Sequence, residues 1–272
     1  MDDNVDPRLY FSELIKDNVS GSKDLALKVS EFFQKYSYLE TEQLNQFGEV
    51  LYSKFAGMGL VRNTILELQA AVISGKDIKK LSDEIRKRIL KQARMATEKV
   101  ASLFLERTKL VTISRSSQVE DAIVNSRNKI ENVYVLESRP MLEGTSLYRR
   151  LIKLGIRATL LTDASMNIAC RKADFALVGC DSILGDMSLV HKVGTFPLFS
   201  IMHYYSKKNY ALGISMKEEN QYNINNYPEF RNNECSELGI PDGNCINQYF
   251  ELIPRHLLDG FYNENGSKIL SK

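Results

Sequence analysis

Residues 109–136, KLVTISRSSQVEDAIVNSRNKIENVYVL, decide how the fold is read. The segment opens on the apolar run KLVTI (109–113) and breaks into the polar loop SRSSQ (114–118). It continues as the amphipathic stretch SSQVEDAIVNSRNK (116–129) and returns to an apolar run, NVYVL (132–136). An apolar run that does not alternate suits a strand covered on both faces. A helical segment between two such runs is the crossover that parallel strands need. The unit recurs downstream as RATLL (157–161), FALVG (175–179) and YALGI (210–214), at steps of 18 to 35 residues, with GTSLYRRLIKLG (144–155) as a second amphipathic connection. Strand and helix in alternation predict an α/β fold with a Rossmann-like parallel sheet over 106–272.

The chain upstream reads differently. In DLALKVSEFFQKYSYL (24–39), Leu25, Val29, Phe32 and Phe33 fall at helical spacing. In DIKKLSDEIRKRILKQARMATEKVASLFL (77–105), Ile78, Leu81, Ile85, Ile89, Ala93, Ala96, Val100 and Leu103 form one apolar stripe. Lys79, Lys80, Arg86, Lys87, Arg88 and Lys91 lie mostly off it, and with Asp83 and Glu84 nearby they read as a solvated face. A helical N-terminal domain over 1–105 is therefore expected.

Composition narrows the function classes. The 272 residues are 43% hydrophobic and 26% charged with a net charge of +2, which gives no reason to expect direct nucleic-acid binding. No apolar run approaches the ~18 residues of a membrane span. MDDNVDPRLYF at the start lacks the apolar core of a signal peptide, so a cytoplasmic chain is expected. Cys170, Cys180, Cys235 and Cys245 include no CxxC pair, and no metal site is expected. Cys170 and Cys180 read as reduced core residues; whether Cys235 and Cys245 pair across their polar loop stays open. His203 reads as a core or helix-face residue and His256 as part of a surface turn.

In an open parallel sheet, ligands bind beyond the carboxyl ends of the strands. Here every expected strand empties into a polar loop: Ser114–Gln118, then ESRPMLEGTS (137–146), TDASMN (162–167), CDSILGDMSLVHKVGT (180–195) and SMKEEN (215–220). The fourth strand is expected to break into a glycine-rich turn. Arg139, Lys192 and Lys217 are suited to neutralising a phosphate. Ser and Gly loops ahead of helices offer backbone N–H groups to one. Asp163 and Asp181 are candidates for accepting hydroxyl hydrogens or moving protons. The same residue types also serve as helix N-caps, an alternative that applies to Asp163 and Ser116. There is no GxGxxG after the first strand and no GxxxxGK[ST], so no nucleotide cofactor is expected. Residues 216–248 read as loops leading into a last short strand in CINQYFELI (245–253).

These loops resemble a known family. LESRPMLEG (136–144), LLTDAS (160–165), LVGCDSILGDMSLVHKVGT (177–195) and FELIPRHLLDGFYNENG (250–266) occur in order and resemble the initiation factor 2B α/β/δ family, which also contains ribose-1,5-bisphosphate isomerase and methylthioribose-1-phosphate isomerase. SGSKDLA (20–26), with Gly21 and Ser22, is similar to the family's N-terminal glycine motif. VRNTILEL (61–68) places Arg62 where the isomerases have a ligand-binding arginine. The resemblance implies a helical domain before a Rossmann-like one and a homodimer or larger assembly. It implies the initiation factor 2 α subunit as a protein partner and a phosphorylated small molecule as ligand. It matches Asp181 to the isomerases' catalytic aspartate, and it places Ser114 where they carry a cysteine. Their Asn-Lys pair corresponds to His191 and Lys192, and a later lysine to Lys217. Arg62, Ser116, Ser117, Lys192 and Lys217 then make up a partly kept phosphate shell. The proton-handling half is altered, because a serine hydroxyl is far less acidic than a thiol of pKa ~8.5. The implied function is a regulatory subunit without catalysis; an aldose–ketose isomerase on a pentose phosphate is the alternative.

Overall fold

The computed structural model describes residues 6–18, 20–241 and 243–269. The chain forms two compact units, Met1–Lys91 and Gln92–Lys272, so the division falls inside the longest helix.

The first unit is helical: α1 (Pro7–Lys16), α2 (Ser22–Lys35), α3 (Thr41–Lys54), α4 (Gly59–Ile73) and the first part of α5 (Ile78–Val100). Asp6 caps α1 through its carboxylate on the Arg8 N–H, with Pro7 in the first turn, where a missing N–H costs nothing. The expected stripe of α2 is buried at Leu25, Val29, Phe32 and Phe33. Phe32 is the hub of an aromatic cluster, with the rings of Tyr36, Phe47, Tyr10 and Phe11 centred 5.0 to 5.9 Å away. Along α5, Ile85, Ile89, Ala93, Ala96 and Val100 are buried while Lys79, Lys80, Lys87 and Lys91 are exposed on the solvated face, with Arg86 and Arg88 half-buried.

The second unit alternates strand and helix: β1 (Thr108–Thr112), α6 (Ser117–Asn125), β2 (Ile130–Leu136), α7 (Glu143–Lys153), β3 (Ala158–Leu161), α8 (Met166–Lys172) and β4 (Phe175–Val178). Next come β5 (Ser182–Leu184), β6 (Leu189–Lys192), α9 (Thr195–Tyr204), β7 (Lys208–Leu212), β8 (Glu218–Glu219), β9 (Phe250–Ile253), β10 (Gly260–Asn263) and β11 (Gly266–Ile269). The main sheet has the order β11-β10-β7-β4-β1-β2-β3; all its neighbours are parallel except β10 and β11. From β1 the chain winds outward to β2 and β3, then returns to lay β4 on the other side of β1. The order reverses between β1 and β4, and in a doubly wound sheet that point opens the ligand crevice. Val111, Ile113, Ala176, Val178, Leu198, Phe199, Met202, Ala211 and Phe261 share one core cluster around these central strands.

Three readings are corrected. The stretch after β4 is not a glycine-rich turn. β5 and β6 pair antiparallel, are buried along their length, and form a second sheet ordered β8-β5-β6-β9. Period-two patterning is too short in SIL and LVHK to signal strands by itself. The last strand expected in CINQYFELI covers only Phe250–Ile253 and pairs with β6, and it is β10 and β11 beyond it that complete the main sheet. Nor is every strand covered on both faces: β3 lies at the edge of the main sheet and leaves Thr159 and Leu160 exposed.

Cys235 and Cys245 form a disulfide, their Cα atoms 5.8 Å apart, which settles a pairing the sequence leaves open. Cys170 and Cys180 are free and buried, as expected. His203 lies exposed on α9 and His256 on a surface turn.

Gly144, in the first turn of α7, packs directly on β2. A Cβ there would lie 1.8 Å from the Leu136 carbonyl oxygen and 2.8 Å from Ser138 Oγ. Gly144→Ala is expected to cost about 1–3 kcal/mol or more, because the obstacle is backbone and cannot rotate away. A urea unfolding midpoint that stays at the wild-type value would contradict this close packing.

Candidate functional site

The polar residues at the carboxyl ends of the strands fall into two linked groups. The first ties together the loops after β1, β2 and β3. Ser114 and Ser138 both take left-handed backbone conformations, with φ of 67°, costly for residues bearing a Cβ. Hydrogen bonds hold them there. The Ser114 N–H donates to Ser138 Oγ at 2.7 Å, and Ser138 Oγ donates to the Leu136 carbonyl at 2.9 Å. Asp163 accepts the N–H groups of Ser138 (2.9 Å) and Arg139 (2.7 Å), one on each carboxylate oxygen. Asp163 therefore works as a brace between loops. The Arg139 side chain is exposed and reaches the Glu237 carbonyl.

The second group surrounds β4 and β6 at the switch point. Ser116 caps α6, its Oγ accepting the Val119 N–H, and Ser117 is the first residue of that helix. A Cβ on Gly179 would lie 2.7 Å from Ser116 Cβ, 2.8 Å from Ser116 Oγ and 3.5 Å from His191 Nε2. A bare glycine at the end of β4 thus lets Ser116 and His191 close in on the strand terminus. Asp181 follows two residues later, half-buried, its N–H donating to the Val190 carbonyl across the β5–β6 hairpin.

Both candidate lysines are buried, Lys192 at 3% exposure and Lys217 at 4%. An ammonium taken out of water must be compensated. Lys192 donates to Glu143 Oε1 at 2.9 Å and lies 5.3 Å from the centre of the Tyr249 ring. Lys217 donates to the Cys180 carbonyl at the end of β4. Burial pushes the Cys180 thiol up to about 12 against the pull of Lys217, so it is a neutral thiol near pH 7.

His191 sits between these charges on β6. Its Nδ1 lies 2.8 Å from Thr195 Oγ1, and Thr195 Oγ1 lies 2.7 Å from the Lys192 carbonyl oxygen. The hydroxyl has one hydrogen, and only it can serve the carbonyl. His191 Nδ1 must then supply the hydrogen for the other contact, which leaves Nε2 bare. Burial first, then the positive charges of Lys217 and Lys192, push the imidazole down to about 3. It is therefore neutral at physiological pH.

Gly21, Ser22 and Arg62 belong to the helical unit. Gly21 is the N-cap of α2 and Ser22 its buried first residue. Arg62, buried on α4, stacks 4.4 Å from the centre of the Tyr52 ring and donates to its hydroxyl. Within the sheet unit, the lysines, Ser116, Asp181 and His191 gather around the ends of β4 and β6, whereas Ser114 and Arg139 belong to the loop brace. Among the described residues Ser114 makes no hydrogen bond to either lysine. Glu143, Thr195, Gly179 and Tyr249 were not singled out from the sequence. The only available signals were an acid opening a helix in LEGT and a hydroxyl four residues after His191 in HKVGT.

A family model described as "Initiation factor 2 subunit family" matches residues 18–267. The chain belongs to this family. A Pyrococcus abyssi protein described as translation initiation factor eIF-2B subunit 2-like is 29% identical over 165 residues, covering 58% of this chain and 56% of that one. Methylthioribose-1-phosphate isomerase of Trichoplax adhaerens is 30% identical over 152 residues, covering 52% of this chain and 41% of the isomerase. The chain thus spans about half the length of the curated relatives it matches. The crystal structure of Pyrococcus horikoshii OT3 translation initiation factor eIF-2B superposes with a TM-score of 0.86 at 24% identity, covering 97% of this chain and 96% of the other. Pyrococcus horikoshii OT3 5-methylthioribose 1-phosphate isomerase gives 0.73 at 15%, covering 97% and 84%. The fold is shared by initiation-factor subunits and isomerases alike. Among the described residues no helix is long and apolar enough to cross a membrane.

The neutral His191 has a consequence for stability. Its unfolded value is near 6.5 and its folded value about 3, so between these pH values the unfolded chain binds a proton that the folded one refuses. Its stabilising effect is fully present above about pH 6.5 and is lost as the pH falls toward 3, at up to about 1.4 kcal/mol per pH unit. Urea unfolding at pH 7.5 and 5.0 is expected to show a smaller loss in His191→Gln than in wild type. Equal losses in the two proteins would mean that His191 is not held neutral.

Proposed function

We propose that this chain is an initiation-factor-2B-like regulatory subunit that binds a phosphorylated small molecule, a sugar phosphate or a nucleotide phosphate, at the carboxyl ends of its strands. It acts through protein contacts in the cytoplasm, as a homodimer or larger assembly, with the initiation factor 2 α subunit as the partner the family suggests. One observation carries the ligand reading: two buried ammonium groups, Lys192 and Lys217, flank a neutral histidine at the strand ends. Two buried cations at the strand ends favour the approach of an anion. Ser116, Ser117 and Arg139 lie on neighbouring loops, and Gly21, Ser22 and Arg62 are proposed as ligand contacts from the family resemblance alone.

The regulatory reading is favoured over catalysis by the acid–base groups near β4. Ser114 stands where the isomerases carry a cysteine, and its backbone is fixed into the loop brace. Cys180 is a buried thiol and cannot readily supply a thiolate. The alternative, an aldose–ketose isomerase acting on ribose-1,5-bisphosphate or a related pentose phosphate, rests on Asp181 at the end of β4 as acid–base.

Thermal unfolding with ribose-1,5-bisphosphate, methylthioribose-1-phosphate and nucleoside monophosphates tests the ligand reading, since a ligand that binds only the folded state raises its midpoint. At least one is expected to stabilise the protein. Lys192→Ala is expected to weaken that binding by about 10- to 100-fold, the value of a charge-assisted hydrogen bond of ~1.5–3 kcal/mol. A coupled turnover assay separates the two functions. Turnover in wild type that disappears in Asp181→Asn decides for the isomerase; saturable binding without turnover decides for the regulatory subunit.

A further inference from the structure

We propose that the Cys235–Cys245 disulfide is a reducible clamp: by fixing Glu237 it holds the Tyr249 ring over Lys192, and its reduction by a dithiol uncovers that buried ammonium. The proposal concerns access to Lys192 and does not depend on the ligand named above.

The bond joins two segments that meet again through one side chain. Cys235 opens the short helical turn Cys235–Leu238, which carries Glu237, and Cys245 lies just ahead of Asn247 and Tyr249. The Glu237 carboxylate accepts from both of these: Oε2 from Asn247 Nδ2 at 2.7 Å, and Oε1 from the Tyr249 hydroxyl. Burial first, then that carboxylate, hold the Tyr249 phenol above its usual range, so it keeps its hydrogen and donates it. The ring so held lies 5.3 Å from Lys192 Nζ, and Lys192 is 3% exposed. The backbone at Tyr249 is fixed separately, since the Val193 N–H donates to its carbonyl at 2.9 Å. Loss of the Glu237 contact therefore frees the ring to turn about a backbone that stays in place.

The surroundings leave the clamp with few rivals. Among the described residues from 220 to 252, Asn247 is buried and every other is half-buried or exposed; Ile240 and Ile246 face solvent. A stretch with no buried apolar side chain opens at low free energy, and a crosslink that restricts the open ensemble opposes this. The contacts that survive reduction hold the residues just ahead of the turn: Asn232 Oδ1 accepts the Asn247 N–H at 2.6 Å, and the Glu234 carbonyl accepts Asn247 Nδ2 at 2.9 Å. Beyond them the turn is tied back by Glu237 and the disulfide, with one contact of 3.5 Å from Arg139 to the Glu237 carbonyl. Both cysteines are half-buried between exposed neighbours, Glu234, Ser236, Asn244 and Ile246, so a reductant can reach them. One thiolate of the dithiol attacks a sulfur, and the departing cysteine takes up a proton. The second thiol then closes the reagent's own disulfide and releases the other cysteine, so two electrons pass from the dithiol to the pair. Thiol reductants of this kind belong to reducing compartments such as the cytoplasm.

The test labels the lysines of the full chain with an amine-acylating reagent and reads each position by mass spectrometry, with and without dithiothreitol. Thiol titration of the denatured chain is expected to find only Cys170 and Cys180 free before reduction and all 4 cysteines free after it. Reduction of the native protein is expected to speed acylation of Lys192 about tenfold, the effect of losing one hydrogen bond to a charged group, and to leave the buried Lys217 unchanged. The double variant Cys235→Ser with Cys245→Ser is expected to match reduced wild type whether or not dithiothreitol is present. Glu237→Ala keeps the disulfide and is expected to expose Lys192 before reduction, with little further rise after it. All cysteines free before reduction overturns the proposal, as does a disulfide that the native protein keeps in dithiothreitol. Reduction that leaves Lys192 protected overturns it too, and so does protection that survives Glu237→Ala. A rise at Lys192 matched at Lys217 shows a general loosening of the strand ends and excludes the clamp.

Discussion

Two ammonium groups held out of water set the terms for the rest of the site. Lys192 and Lys217 are almost fully buried at the ends of the strands. Such groups persist only where the fold supplies compensation. Glu143 answers Lys192 from the first turn of α7, and Tyr249 presents its ring to the same nitrogen. Tyr249 donates in turn to Glu237, inside the loop that the Cys235–Cys245 disulfide closes. Lys217 is answered by the Cys180 carbonyl, a backbone group freed because β4 ends there. The cradle thus depends on elements far apart in the chain, and each is fixed by something other than the lysine it serves.

Those charges also decide the state of their neighbours. They add to burial in keeping His191 neutral, and Thr195 then chooses which of its nitrogens carries the hydrogen. Cys180, the one cysteine close to the site, stays protonated because burial outweighs the pull of Lys217. The histidine and the cysteine beside the lysines are therefore both neutral near pH 7, which leaves Asp181 as the acid–base candidate at these strand ends. The fold by itself does not discriminate between the two functions, since initiation-factor subunits and isomerases share it.

Much of the architecture was legible because it is written in long or repeated patterns. The stripe of α5 runs through six turns of helix, and the five apolar runs each mark a strand of the parallel sheet. The hairpin of β5 and β6 was not legible. Each strand is three or four residues long, and Gly185 and Asp186 between them look like any polar turn. The polar residues were harder still. Asp163 reads as a catalytic candidate or a cap, and it turned out to bridge two backbone N–H groups on the preceding loop. Glu143 reads as an acid favoured in a helix's first turn, and only its neighbour across the fold makes it the counter-ion of a buried lysine.

The sequence by itself determined the helical first unit and the five parallel strands of the main sheet, in their order along the chain. Apolar periodicity depends only on residues close along the chain, and alternation of strand and helix points to a parallel α/β sheet. It also determined that polar, cationic residues gather in the loops beyond the strands. The tertiary structure alone decided which of them meet and in what protonation state. Ser116, Gly179 and His191 come from three different segments and meet because the strand order reverses between β1 and β4. Whether a histidine is an acid, a base or a fixed acceptor depends on burial, on nearby charge and on the partner of its other nitrogen. Those are properties of the folded surroundings, and no stretch of sequence states them.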